Sequence, residues 1–282
     1  MYVSIPTQTG CGRAWVAAAQ EIDGAGGDLY NVVVDIDDPA TLTADDRKTI
    51  GLVDEFLRRH DSTARRVLPV DSVANTIIPY ALYRRYGAPG FYEVYEQEVY
   101  PRIAKPQEWG RYFYRMIHHE TPNGVINPLS RLVEKVRTQA HGPRTFSNVF
   151  ELPVTDPALD INTYNPACDA NLLRGGPCLS FLSFKLHPSR GLMLTAMYRN
   201  HYYIQRTLGN YIGLGRLLAF VAEEANVRVG PLTCISTHAE LDAGPWTKRD
   251  VRQLLAECAA AVRETREDAS KEGRAVLIRE SI

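Results

Sequence analysis

Several classes of protein are excluded by what this 282-residue sequence lacks. Its five cysteines include no CxxC pair, so neither a disulfide framework nor a zinc ribbon is indicated. Such cysteine usage is typical of a reducing compartment. No apolar stretch approaches the ~18 residues that a membrane helix requires. The N-terminal MYVSIPTQTG has no basic segment followed by an apolar run. Together these absences predict a cytoplasmic protein that does not contact a membrane.

The charged residues are nearly balanced, because 32 basic and 33 acidic residues leave a formal net charge of −1. That balance gives no electrostatic reason to expect a nucleic-acid partner. No linker rich in proline, glycine or serine, no repeat and no low-complexity tract divides the chain. We therefore expect a single domain over residues 1–282.

Hydrophobic periodicity predicts helices and strands of both kinds, and thus an α+β fold with a mixed or antiparallel sheet flanked by helices. The predicted helices cover 12–22, 43–60, 72–87, 90–103, 127–142, 208–227 and 248–268. The predicted strands cover 29–36, 145–154, 178–186, 191–203 and 230–242. Residues 101–126 look irregular, and a loop of 23 residues spans 155–177. Long loops inside compact domains are often functional.

Four residues stand where simple core packing does not require them. Cys178 opens an apolar strand in GGPCLSFLSFKL, and it is either a small core residue or a nucleophile. Arg199 ends a buried strand, so it needs an anion, either an internal carboxylate or a phosphate. Asn210 is either a helix cap or a base-reading amide. His238 lies in a strand, as a structural histidine or as a catalytic one.

The order of these residues resembles the thymidylate synthase family. The segments that carry the resemblance are LVEKVRTQAHGPR, GGPCLSF, MYRNHYY, TLGNYIGLGRLLAFVAEEANVRVG and ISTHAELD, which together cover roughly residues 127–242. In that family a Pro-Cys nucleophile opens a strand, an arginine motif binds phosphate, an asparagine on a helix reads the base, and a Thr-His pair follows on a strand. No single segment is specific, but their order and spacing are.

The resemblance implies one-carbon transfer to C5 of a pyrimidine nucleotide of the UMP, dUMP or CMP type. Cys178 would add to C6, and His238 would act beside the sugar or the base. The family is a homodimer and takes its one-carbon unit from 5,10-methylenetetrahydrofolate. The implied phosphate ligands are Arg199, Asn200 and, across the dimer, Arg144. The implied base and sugar contacts are Asn210, Glu240 and Tyr202.

Departures from the family pattern leave the product open. The usual catalytic glutamate falls on Tyr80, the aspartate after the phosphate motif on Tyr202, and the sugar-binding tyrosine on Glu240. The segment EGRAVLIRESI does not resemble the family's closing segment, which keeps water out of the site. Without it, water adding in place of hydride would give a hydroxymethyl product rather than a methyl product. The Glu240 carboxylate accepts hydrogen bonds from the two hydroxyls of a ribose better than the phenol of the family's tyrosine does, which favours a ribonucleotide substrate.

Two other functions compete with this one. The loss of the family's glutamate and aspartate favours a paralogue that binds a nucleotide without turning it over. A Cys-His hydrolase unrelated to nucleotides is the third candidate, although such nucleophiles commonly open a helix whereas Cys178 opens a strand.

Overall fold

The computed structural model describes residues 2–62, 66–104, 111–143, 145–146, 148–155, 177–242 and 244–279, with side chains described as far as residue 263. The helices are α1 (Cys11–Gly24), α2 (Ala44–Arg59), α3 (Val70–Ile77), α4 (Tyr80–Tyr86), α5 (Gly90–Val94), α6 (Tyr100–Ile103), α7 (Tyr112–Ile117), α8 (Pro128–Ala140), α9 (Leu208–Ala225) and α10 (Lys248–Arg279). Two π-helical turns, Tyr95–Val99 and Tyr203–Thr207, lead into α6 and α9. The strands are β1 (Val3–Gln8), β2 (Asp28–Ile36), β3 (His119–Thr121), β4 (Gly124–Ile126), β5 (Glu151–Pro153), β6 (Leu179–His187), β7 (Gly191–Tyr198), β8 (His201–Tyr202) and β9 (Val229–Glu240).

A seven-stranded mixed sheet organises the described residues, in the order β1-β2-β9-β7-β6-β5 with β8 beside β9. β1 and β2 are parallel, as are β7 and β9, whereas β2–β9, β6–β7 and β5–β6 are antiparallel. The prediction of a mixed sheet flanked by helices is confirmed. The parallel ends of β7 and β9 meet the start of β6 at one end of the sheet, which places residues 178, 199 and 240 near one another.

Local signals explain several helix boundaries. Thr43 caps α2 and forms a reciprocal capping box with Asp46. Asn127 caps α8 by accepting from Ser130 N at 2.8 Å, ahead of Pro128 at the first helical position. Asp46 also accepts a hydrogen bond from the amide of Gly12 in the first turn of α1. One carboxylate therefore completes the N-termini of two helices.

The two faces of the sheet differ in burial. Alternate residues such as Val34, Ala196 and Cys234 are fully buried. The residues between them are only partly covered, and Met197 is 38% exposed. Strand register aligns five apolar residues of that open side into one row across β2, β9, β7, β6 and β5: Val33, Ile235, Met197, Phe181 and Pro153. We call this the open-face row.

The structure differs from the sequence predictions in two stretches. The tract 101–126, expected to be irregular, contains α7 and the β3–β4 hairpin. Among the described residues of the stretch 145–154, only Glu151–Pro153 is a strand. The predicted loop lies outside the described residues over 156–176. None of the described helices is long and apolar enough to cross a bilayer.

Candidate active site

Cys178 stands immediately before β6, directly across from Arg199 at the end of β7. The amide of Arg199 donates to the Cys178 carbonyl at 3.0 Å, which extends the β6–β7 ladder by one rung. Cys178 is half-buried and packs against the edge of the core. The sulfur is thus neither a fully buried core atom nor free in solvent, as a nucleophile that must meet a substrate requires.

Two guanidinium groups act on this thiol. Burial raises the pKa of Cys178, the positive charges of Arg199 and Arg206 lower it, and the Glu240 carboxylate raises it. Both arginines are half-buried, yet within the described part of the chain neither side chain makes a hydrogen bond or an ion pair. For Arg199, the internal salt bridge that the sequence left open is thus not found there. Unpaired, partly buried guanidinium groups are typical of anion-binding sites.

Arg206 was missed by the sequence analysis. It lies in the π-turn that precedes α9, four residues ahead of Asn210. Asp242 fixes that turn, because its Oδ1 accepts from the amides of Ile204 at 2.7 Å and Gln205 at 3.3 Å. Its Oδ2 accepts from the Gln205 side chain. Single π-turns inside helices often mark functional sites, and the lone arginine in the apolar stretch YIQRTLGN was the available signal.

His238, Asn200 and Glu240 form a hydrogen-bonded row beside the thiol. His238 Nδ1 lies 2.6 Å from Asn200 Oδ1, and Asn200 Nδ2 donates to Glu240 Oε1 at 3.4 Å. The ring of Tyr30 packs on the His238 ring at a centroid distance of 4.9 Å. Asn200 was expected to contact phosphate, but its amide is engaged within this row.

Asn210 is buried in a separate polar cluster behind the site. Helix α9 begins at Leu208, so Asn210 lies inside the helix and is not its cap. Its Nδ2 donates to His201 Nε2 at 3.0 Å, and His201 Nδ1 lies 2.9 Å from Ser236 Oγ. Because burial lowers the pKa of His201 to about 3, this imidazole is neutral at physiological pH. The amide oxygen of Asn210 and the second hydrogen of its NH₂ group are left for a base edge.

Two phenols lie behind the thiol, and burial raises the pKa of both Tyr112 and Tyr198. The Tyr198 ring stacks on His201 at 3.9 Å. Tyr202 is 39% exposed, and its backbone pairs with Glu240 across β8 and β9. The structure thus brings together Cys178, Arg199, Asn200, Glu240 and His238; it places Asn210 deeper, and Arg144 lies outside the described residues.

No protein-family model and no curated protein matches this sequence. The resemblance to thymidylate synthase therefore stays a prediction. Among the described residues no group of three or more His, Cys, Asp or Glu side chains is placed to hold a metal ion. The four described cysteines, Cys11, Cys178, Cys234 and Cys258, are free thiols.

Proposed function

We propose that this protein transfers a one-carbon unit to C5 of a pyrimidine nucleotide through covalent addition of Cys178 to C6. The observation that carries the proposal is one half-buried thiol on which two guanidinium charges act, neither of them hydrogen-bonded or ion-paired among the described residues. One guanidinium suits the nucleotide phosphate, as bidentate arginine–phosphate contacts do. The other remains to stabilise the thiolate once the phosphate is bound.

The reaction makes and breaks bonds at C5 and C6 of the pyrimidine ring. The Cys178 thiolate bonds to C6, and the ring electron pair moves to C5 and O4, making C5 nucleophilic. C5 then bonds to an electrophilic one-carbon group and releases its hydrogen as a proton to solvent, while the bond between the new carbon and its carrier breaks, which leaves an exocyclic methylene. Water adds to this methylene for a hydroxymethyl product, or hydride from a reduced carrier for a methyl product. Elimination of the thiolate restores the C5–C6 double bond. In this scheme Arg199 holds the phosphate, while the Asn210 amide oxygen faces the base edge.

The one-carbon donor remains a prediction from the resemblance. A reduced folate such as 5,10-methylenetetrahydrofolate needs a flat apolar wall for its pterin. Near Cys178, Tyr198 is buried in the core, whereas Tyr112 is only partly covered and packs against the core. Trp109 and the segment 156–176 lie outside the described residues. We therefore assign no step to the folate.

The test is release of tritium from C5-labelled UMP, dUMP, CMP and dCMP, with and without methylenetetrahydrofolate. We expect release from at least one nucleotide, and the mass of its product separates methyl from hydroxymethyl. Release that needs the folate identifies the donor. No release from any of the four at high enzyme concentration would refute catalysis.

A specific observation favours the second candidate, a nucleotide-binding paralogue without turnover. Burial leaves the pKa of Cys178 raised despite both arginines, so the resting residue is largely a thiol at neutral pH. Saturable nucleotide binding together with no tritium release would support this candidate.

We also propose that the chain forms a homodimer through its open sheet face. The open-face row is apolar over five strands, and a polar row runs beside it: Asp35, Thr233, Thr195, Ser183 and Glu151. A second copy related by a two-fold axis would present the same surface, so apolar residues would meet apolar residues. This arrangement agrees with the dimer that the resemblance implies.

Met197→Lys is expected to convert the dimer to a monomer, because a charge would be buried at the centre of the interface. Met197 is exposed in the single chain, so the fold should tolerate the change. Val125→Lys is the matched control, since Val125 is 58% exposed on the β3–β4 hairpin. Sedimentation equilibrium gives the mass of each. A monomeric wild type, or a dimeric Met197→Lys variant, would contradict the proposal.

A further inference from the structure

The row His238–Asn200–Glu240 has a fixed direction of hydrogen bonding. The Glu240 carboxylate is acceptor-only in its ionised form, so the Asn200 group facing it at 3.4 Å is the donating NH₂. The amide oxygen then faces His238 Nδ1 at 2.6 Å. Because an amide oxygen only accepts, the hydrogen in that contact belongs to His238 Nδ1.

Two free acceptors result from this arrangement. A neutral imidazole that carries its hydrogen on Nδ1 presents a lone pair on Nε2. The second carboxylate oxygen of Glu240 is also an acceptor. Within the described residues neither His238 Nε2 nor Glu240 Oε2 has a hydrogen-bond partner, and both side chains are half-buried. The row therefore offers two acceptors and no donor to a ligand.

Neighbouring residues hold this pair of acceptors in place. The Tyr30 ring packs against the His238 ring with an interplanar angle of 30°, and the two residues are partners in the β2–β9 ladder. Glu240 pairs with Tyr202 of β8 on one side and with Asp28 on the other. A site fixed by strand pairing needs little rearrangement on binding, which favours selectivity.

We propose that His238 Nε2 and Glu240 Oε2 bind the 2′- and 3′-hydroxyls of ribose, so that the substrate is a pyrimidine ribonucleoside monophosphate. This inference rests on the proposed function. A vicinal diol supplies two O–H donors to two acceptors, whereas a 2′-deoxyribose supplies one and leaves the other acceptor unpaired. The Glu240 charge also acts on the Cys178 thiol, on which the Arg199 charge acts too. The sugar site therefore adjoins both the phosphate site and the nucleophile.

The test is calorimetric titration of the wild-type protein with UMP, dUMP and 3′-deoxyuridine monophosphate, and with CMP and dCMP in parallel. We expect the ribonucleotide of one base to bind roughly 10- to 100-fold more tightly than either deoxy form, as sites built for a hydroxyl discriminate against its absence. Equal affinity for ribose and deoxyribose forms would overturn the inference and leave the proposed function standing. If none of the five nucleotides binds, both fail.

Glu240→Gln supplies the second measurement, because the amide keeps the shape of the carboxylate but loses its charge and one acceptor. We expect its preference for UMP over dUMP to fall to within about threefold while dUMP binding persists, which also shows that the variant is folded. Glu93→Gln, on the exposed side of α5, is the matched control and should keep the full preference. An unchanged preference in Glu240→Gln would refute the assignment.

Discussion

Cys178→Ser is expected to lose all C5-tritium release, a fall of roughly 10³-fold or more, because a serine hydroxyl is far less readily ionised than a thiol and adds poorly to a ring carbon. The same variant should form no covalent adduct. With the wild-type enzyme, a one-carbon donor and a 5-fluoropyrimidine nucleotide, the fluorine at C5 cannot leave as a proton does. The adduct should therefore persist, and mass spectrometry should locate it on the peptide that contains Cys178.

Cys258→Ala is the matched control for that experiment. Cys258 is buried in α10, a helix that packs on α1 and α2. Its removal should cost some stability and leave tritium release in place. Release that survives in Cys178→Ser, or an adduct on another cysteine, would contradict the assigned nucleophile.

Arg199→Gln is expected to slow alkylation of Cys178 by iodoacetamide at pH 7.5 and to weaken nucleotide binding by roughly 30- to 100-fold. The Arg199 charge lowers the pKa of the thiol, so its loss raises that pKa and leaves less thiolate at a given pH. The alkylation rate should therefore reach its plateau at higher pH than in the wild type. The affinity loss follows from removing a charge-assisted, bidentate phosphate contact.

Arg206→Gln should shift the alkylation profile in the same direction by a smaller amount, since Arg206 is the weaker of the two influences on the thiol. Arg190→Gln, in the exposed β6–β7 turn, is the matched control and should leave the profile unchanged. If the profiles of Arg199→Gln and Arg206→Gln also overlay the wild-type curve, neither guanidinium acts on the sulfur in solution.

The sequence predicted those parts of the fold that local chemistry decides. The capping residue Thr43 opens the helix predicted over 43–60, which is α2. The single helix predicted over 72–87 is divided in the structure into α3 and α4, because Pro79 interrupts it. The predicted strands 178–186 and 191–203 are joined by HPSR alone, and a connection this short favours the β6–β7 hairpin that the structure has. Pairing close to the turn of a hairpin fixes the register along both strands. The sequence could therefore place Cys178, at the start of one strand, opposite Arg199, at the end of the other.

Long-range pairing accounts for what the sequence did not predict. The insertion of β9 between β2 and β7 joins residues about 200 positions apart, and no local pattern encodes it. The sequence left Asn210 as a cap or a base-reading amide and did not predict its bond to His201, which lies nine residues earlier, on the other side of a π-turn. That turn depends on Asp242, whose carboxylate arrives from a separate segment after β9. For this reason the sequence did not predict that Arg206 lies beside the thiol.

The double role of Asp46 restricts how this chain can diverge. A Cβ atom at Gly10 would come within 3.0 Å of Asp46 Oδ2, and one at Gly12 within 3.1 Å of the Asp46 Cα. A larger residue at either glycine would push the carboxylate away from both helix starts at once. A change at position 10, 12 or 46 is therefore expected to loosen the starts of both helices, although the three positions lie in two separate segments of the sequence.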